Sequence, residues 1–321
     1  MKQLVLALAL LSIPGQADPL DAARSLFGER KYEQARELLE GSLNDPGAKA
    51  ERLLLLTRVC NILGDYEDGI RYGKQAVELL PDSGEAHFRY AQAMRVKMQK
   101  VSEFKAMFVV GGYKKTLQKA IDLDPKHVGA REEQIGFLIH APGFAGGSYE
   151  KAEQRIAELK PLDWRRAMLS TADLESTRKN GTAVEKIYNE ILEKYPDDGA
   201  TRANLGYWYQ RETRYAEADR EFGRLVEHEE PAYAMIALYQ RARTRILGEY
   251  QPEKAVEFLQ KFIAEAADDL PDVPSKSNAY RRLGNAYEQL DDTGQAREAY
   301  RQALALDADN KEAKKALKAL P

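Results

Sequence analysis

The sequence predicts an all-α chain assembled from repeated helix–turn–helix units. Three observations carry this expectation. A set of small and large residues recurs at a period of about 34 residues. Apolar residues fall at helical spacing, and no segment shows the two-residue alternation of a half-buried strand. Glycine and proline sit where that period places turns and helix ends.

Residues 1–17 come first. Met1-Lys2-Gln3 is a short positive start, Leu4 to Leu11 is apolar, and Pro14 and Gly15 break the run. Small residues precede a cut expected between Ala17 and Asp18. This is the layout of a cleavable secretory signal. It is too short to span a bilayer, which takes about 20 apolar residues. The single cysteine, Cys60, is far from the cut, so no lipid anchor is expected. In a double-membraned bacterium the product would be periplasmic.

From Asp18 the units run to the end of the chain. Residues 18–49 open with Asp18-Pro19, a helix-capping residue followed by proline at the first turn, and carry Ala22, Ala23, Leu26, Tyr32, Ala35 and Leu39. Residues 50–83 carry Leu56, Cys60, Gly64-Asp65-Tyr66 at a turn, Ala76, and Pro81 at a helix end. Residues 84–128 keep Tyr90, Ala91, Met94, Ala120 and Pro125, with ten extra residues between Met94 and Tyr113. Residues 129–162 keep Ile135-Gly136, Ile139, Tyr149 and Ala152, with four extra residues before Tyr149. Residues 165–198 carry Ala172, Val184, Tyr188, Ile191 and Pro196. Residues 199–231 carry Leu205-Gly206, Tyr209, Tyr215, Ala218 and Phe222. Residues 232–269 keep Ala255, Leu259 and Phe262, but the register of their first helix is open. Residues 277–310 carry Leu283-Gly284, Tyr287, Ala296, Tyr300 and Ala303. The tail, 311–321, sets Ala313, Leu317 and Leu320 against lysines, as a polar-faced closing helix does.

This recurring pattern resembles the tetratricopeptide repeat (TPR), a helix–turn–helix of about 34 residues. The resemblance covers nearly all of residues 18–321. It implies one right-handed α-α superhelix of about eight repeats with a capping helix, the first helix of each repeat lining a concave side. It also implies polypeptide partners. Family positions that face the groove map onto Arg58, Asn61, Gln92, Arg95, Asp173, Tyr207, Gln210, Arg211, Thr244, Asn285 and Glu288. Such a polar lining suits an extended backbone, which needs donors and acceptors. The clamp that some family members use for chaperone C-termini is incomplete: Asn204 and Arg241 fit, but Leu169 and Asp173 stand where Lys and Asn are required.

The extra residues mark two departures. Those after Met94 should lengthen both helices of their unit by about five residues, or about 7.5 Å each. The hairpin should then project beside the turn Ala141-Pro142-Gly143-Phe144-Ala145-Gly146-Gly147-Ser148, since equivalent turns of neighbouring repeats share an edge. The two together resemble a subgroup of exported bacterial TPR proteins. Phe104, Met107 and Phe108 share a helical face. The favoured expectation is that they pack with Phe144 and hide one another; the competing one leaves them exposed as a partner contact.

Other chemistries are weakly supported. The glycine-rich turn lacks the Lys of a phosphate loop, and no strand precedes it. His87, His127, His140 and His228 show no metal spacing. Cys60 falls at a core position, and one cysteine excludes a disulfide framework. No cofactor is expected. The chain has 48 Lys plus Arg and 51 Asp plus Glu, net −3, with both signs interspersed. That balance argues against nucleic acid, which requires a basic face. The repeat array, with no catalytic constellation in the sequence, fits a non-enzymatic scaffold for protein or peptide partners. One alternative is an assembly or cargo factor for envelope or secretion machinery. Another is a small-ligand binder or enzyme built from 95–112 and 141–148, which would need a buried His140.

Overall fold

The computed structural model describes residues 18–45, 47–267, 270 and 272–321. The expected signal segment, 1–17, lies outside them. The described residues form seventeen α-helices, one short 3-10 turn and no strand, as the sequence predicts. They fall into two compact units, one ending at Ser170 and the other starting at Thr171.

In the first unit the helices are α1 (Pro19–Gly28), α2 (Tyr32–Gly41), α3 (Lys49–Leu63), α4 (Tyr66–Leu79), α5 (Gly84–Lys100), α6 (Glu103–Leu123), α7 (Val128–His140) and α8 (Tyr149–Leu159). α9 (Trp164–Thr177) runs across the division. Polar residues start most of them. Asp18 accepts from Leu20 N at 2.9 Å, Asp65 from Asp68 N at 3.3 Å and Ser83 from Ala86 N at 3.2 Å. Each satisfies a first-turn N–H that has no partner within its helix. Successive first helices touch, α1 against α3 and α3 against α5, with the second helices packed beside them. Leu20, Ala23, Ala35, Leu39, Leu53, Leu56 and Cys60 form one core; Phe88, Tyr113, Leu117 and Ala130 form the next. Burial pushes the Cys60 thiol up to about 12, so it is a packing residue, as expected.

The long hairpin is present but uneven. α5 has 17 residues and α6 has 21, against 14 in each helix of the last complete pair. The equal lengthening expected from the sequence is therefore corrected: α6 takes the larger share. The adjacent turn lies against it, with Lys114 Nζ donating to Ala145 O at 3.3 Å. Within that turn Gly146 has φ +110°, and a Cβ on Gly147 would overlap the Ala141 carbonyl. Ser148 then caps α8 through Lys151 N. The glycines thus serve a tight chain reversal.

The second unit contains α10 (Gly181–Lys194), α11 (Gly199–Arg211), α12 (Tyr215–Gly223), α13 (Pro231–Leu247), α14 (Pro252–Glu265), α15 (Lys276–Gln289), α16 (Thr293–Leu306) and α17 (Lys311–Ala319). First helices again touch in series, α11 on α13 and α13 on α15. The Leu-Gly pairs now have a physical reason. A Cβ on Gly206 would sit 2.7 Å from the Phe222 ring, and one on Gly284 would sit 2.5 Å from the Tyr300 ring. The large aromatic of each second helix occupies the space that glycine leaves on the first.

Candidate functional site: polar and apolar faces

The polar candidates of the first unit form one line on α3 and α5. Arg58 stacks on Phe27 at 4.5 Å. Burial, helped by the Arg89 charge, holds its guanidinium below the usual range. Asn61 Nδ2 donates to Arg89 O at 3.2 Å, and Gln92 Oε1 accepts from Arg89 at 2.9 Å. Arg95 pairs with Glu133 at 2.6 Å. Each is thus engaged by a neighbour within the unit, although Asn61 Oδ1 is buried without a hydrogen-bond partner.

In the second unit the structure gathers Tyr207, Gln210 and Arg211 of α11 with Arg243 of α13 around a pocket of about 320 Å³. Arg243 donates to Gln210 Oε1 at 2.6 Å. Burial and then the neighbouring Arg282 hold the Arg243 guanidinium below its usual range. The same two causes act on Arg281. Both Arg281 Nε and Arg282 Nε are buried without a hydrogen-bond partner. Among the described residues, Arg211, Arg243, Arg281 and Arg282 have no carboxylate at ion-pair distance. Arg241 and Arg245, on the same helix as Arg243, both pair with Asp219.

Several sequence candidates need correction. Thr244 is fully buried and Gln210 is 7% exposed; both belong to an internal network, so neither is an open groove contact. Tyr207 is half-buried, its ring 5.3 Å from Phe222. Asn285 donates to the hydroxyl of buried Tyr300 at 2.7 Å, and that hydroxyl donates to Glu288. These two side chains therefore support a core tyrosine, although Glu288 is itself exposed. Asp173 is half-buried, and both it and Arg211 act on the Tyr188 hydroxyl. Arg243, Arg281 and Arg282 were not among the sequence candidates. Their arginine-rich runs are visible, but sequence does not show which arginines lack a partner.

The packing expectation for the insertion is overturned. Phe104 is 69% exposed, Met107 57%, Phe108 75% and Phe144 79%. Phe104 and Phe108 touch edge to face at 5.1 Å, but nothing covers them. Between hairpin and turn lies an apolar groove of about 680 Å³, lined by Met98, Phe104, Met107, Phe137, Pro142 and Phe144 among others.

The histidines are structural where their contacts are visible. His127 Nδ1 accepts from Ala130 N at 3.1 Å, so Nε2 carries the proton it donates to Glu85 at 2.9 Å. His140 is exposed at the end of α7, which leaves the enzyme reading without the buried base it needs.

Residues 277–310 match the tetratricopeptide repeat family. A thermophilic TPR protein of Thermus thermophilus shares the fold with a TM-score of 0.52 at 18% identity, over 60% of this chain and 97% of that one. Yeast Tom70 does so with a TM-score of 0.67 at 15% identity, over 96% of this chain and 65% of that one. No curated protein matches the chain. The chain is thus a helical-hairpin protein with the TPR fold. Its last complete pair, α15 and α16, holds the matched repeat.

Proposed function

We propose that the chain is a binding scaffold that holds an acidic, extended polypeptide on the arginine-lined face of α11, α13 and α15. The carrying observation is that Arg211 and Arg243 line one pocket with no carboxylate at ion-pair distance, while the charge of Arg282 acts on both Arg243 and Arg281. Like charges held close and partly desolvated are unfavourable unless a counter-charge arrives. Guanidinium groups suit peptide carboxylates because they pair bidentately. TPR proteins bind protein or peptide partners, which supports the same reading. Export to the cell envelope, argued from residues 1–17, belongs to the proposal; N-terminal sequencing that returned Met1 instead of Asp18 would remove it. The narrower role of assembly or cargo factor shares the binding test and adds only the partner's identity.

The test uses Arg211→Gln with Arg282→Gln, which spares the Arg243–Gln210 bond. Anisotropy titration with a Glu-rich peptide and its Gln-rich counterpart should show charge-selective, salt-sensitive binding that the double variant loses. Melting should stay within about 0.5 kcal/mol of the parent, or rise, since repulsion is relieved. Equal binding of both peptides would refute the reading.

A further inference from the structure

The exposed tip of the α5–α6 hairpin is the largest feature that the peptide-binding reading leaves unused. Large apolar patches on a soluble chain mark interaction surfaces. This one joins Phe104, Met107 and Phe108, at the start of α6, to Phe144 in the turn after α7.

Its charge surroundings identify the partner. Residues 95–119 hold seven basic side chains against Glu103 alone, in a chain whose net charge is −3. The remainder is therefore acidic, and the hairpin reverses the local sign. Lys97 and Lys105 line one flank of the tip, beside Glu67. Lys100 lies over Gly64, and Lys114 sits at the groove margin, against Ala145 and Phe137. Among the described residues none of these four lysines has a carboxylate at ion-pair distance. Aromatic side chains at a projecting tip, ringed by unpaired lysines, match the two layers of an anionic membrane surface. The rings enter the boundary between headgroups and acyl chains, and the ammonium groups meet the phosphates. A protein partner with an acidic rim would meet the lysines equally well. However, although Phe104 and Phe144 border the groove, the rings of Phe104, Phe108 and Phe144 are 69–79% exposed, so most of their surface is open to a flat partner. The net-acidic remainder also favours approach by the hairpin, because a negative surface repels it on balance.

We infer that this hairpin is a peripheral membrane contact, docking Phe104, Met107, Phe108 and Phe144 into an anionic lipid surface. No described helix is long and apolar enough to cross a membrane. The contact is therefore interfacial and reversible.

The experiment must report the tip itself, because residues 4–11 are also apolar. Ser102 is exposed at the hairpin turn, and its side chain makes no cap hydrogen bond. Ser102→Cys in the full chain can carry a polarity-sensitive dye, since Cys60 is buried. Titration with vesicles of phosphatidylcholine plus phosphatidylglycerol should shift the emission to the blue; phosphatidylcholine alone should not. Phe104→Ser with Phe108→Ser should weaken the response about tenfold or more while leaving the helical signal and melting unchanged. Lys97→Gln and Lys105→Gln should each weaken it about fivefold, and raised salt should weaken it further. No shift with anionic vesicles overturns the inference, as does an equal shift with neutral ones or a phenylalanine variant that responds like the parent. A concentration-dependent shift without lipid, lost in the phenylalanine variant, would assign the patch to a second copy of the chain and also overturn it.

Discussion

Gln210 donates a 2.7 Å hydrogen bond to the Thr244 hydroxyl, and both side chains are buried between α11 and α13. The Thr244 hydroxyl in turn donates to Gln240 O at 2.6 Å, while Arg243 donates to the Gln210 carbonyl oxygen. A fully satisfied polar cluster fixes how the two helices meet. Thr244→Val keeps the shape but leaves the Gln210 amide with only its weaker contacts to Gln240. It should cost about 1–3 kcal/mol. Urea unfolding checks this; a midpoint equal to the parent's would mean that the cluster is not structural.

The exposed tip and the buried base of α6 should respond oppositely to truncation. Phe104→Ala should change stability by no more than about 0.5 kcal/mol, because the ring is already in solvent. Tyr113 is 1% exposed on the same helix. Tyr113→Ala should cost about 3–5 kcal/mol through lost burial and the cavity left behind. Thermal melts of the two variants decide it side by side.

Gly284→Ala places a methyl group against the Tyr300 ring, and that ring is fully buried. Overpacking of this kind costs about 1–3 kcal/mol. Gly284→Ala combined with Tyr300→Leu should recover part of the loss, because the shorter side chain vacates the space. A double variant no better than the product of the two single effects would count against the steric account.

The Glu85 carboxyl is held down from 4.5 to about 2, chiefly by the hydrogen bond from His127 and also by the Arg89 guanidinium. A depressed carboxyl favours the folded state at any pH above 4.5. That contribution fades as pH falls from 4.5 towards 2, where the folded carboxyl also takes up a proton. Glu85→Gln should therefore lower stability at neutral pH and flatten its acid slope in this window. Urea midpoints measured across the acid range test this; parallel curves for parent and variant would contradict it.

Much of the helical architecture is legible in the sequence because its signals are steric. Gly206 and Gly284 announce the aromatic that fills them, and Asp18-Pro19 announces a helix start. The site was legible only where the register was secure. In residues 232–269 the Leu-Gly pair, Leu247-Gly248, falls at the end of the first helix instead of within it, and there the expected groove residue was Thr244. The structure turns Thr244 inward and gives the pocket Arg243, its neighbour in sequence. One residue is about 100° around a helix, enough to exchange inside for outside. The α6 stripe shows the other limit. Phe104, Met107 and Phe108 read as an apolar face, but periodicity does not say whether another element reaches it.

Among the described residues, every substantial helix contact joins neighbours in sequence or next-but-one neighbours, as in α13 with α14 and α15. Even the Gln289 side chain, which bonds Ile246 O, bridges only 43 residues. Damage should then stay where it is made. A lesion at Tyr300 removes support from α15, α16 and α17 while the cores around Leu56 and Tyr113 keep their own contacts. Amide exchange after such a lesion should accelerate at one end and remain slow at the other, so that the chain frays like a row of stitches rather than melting as a whole.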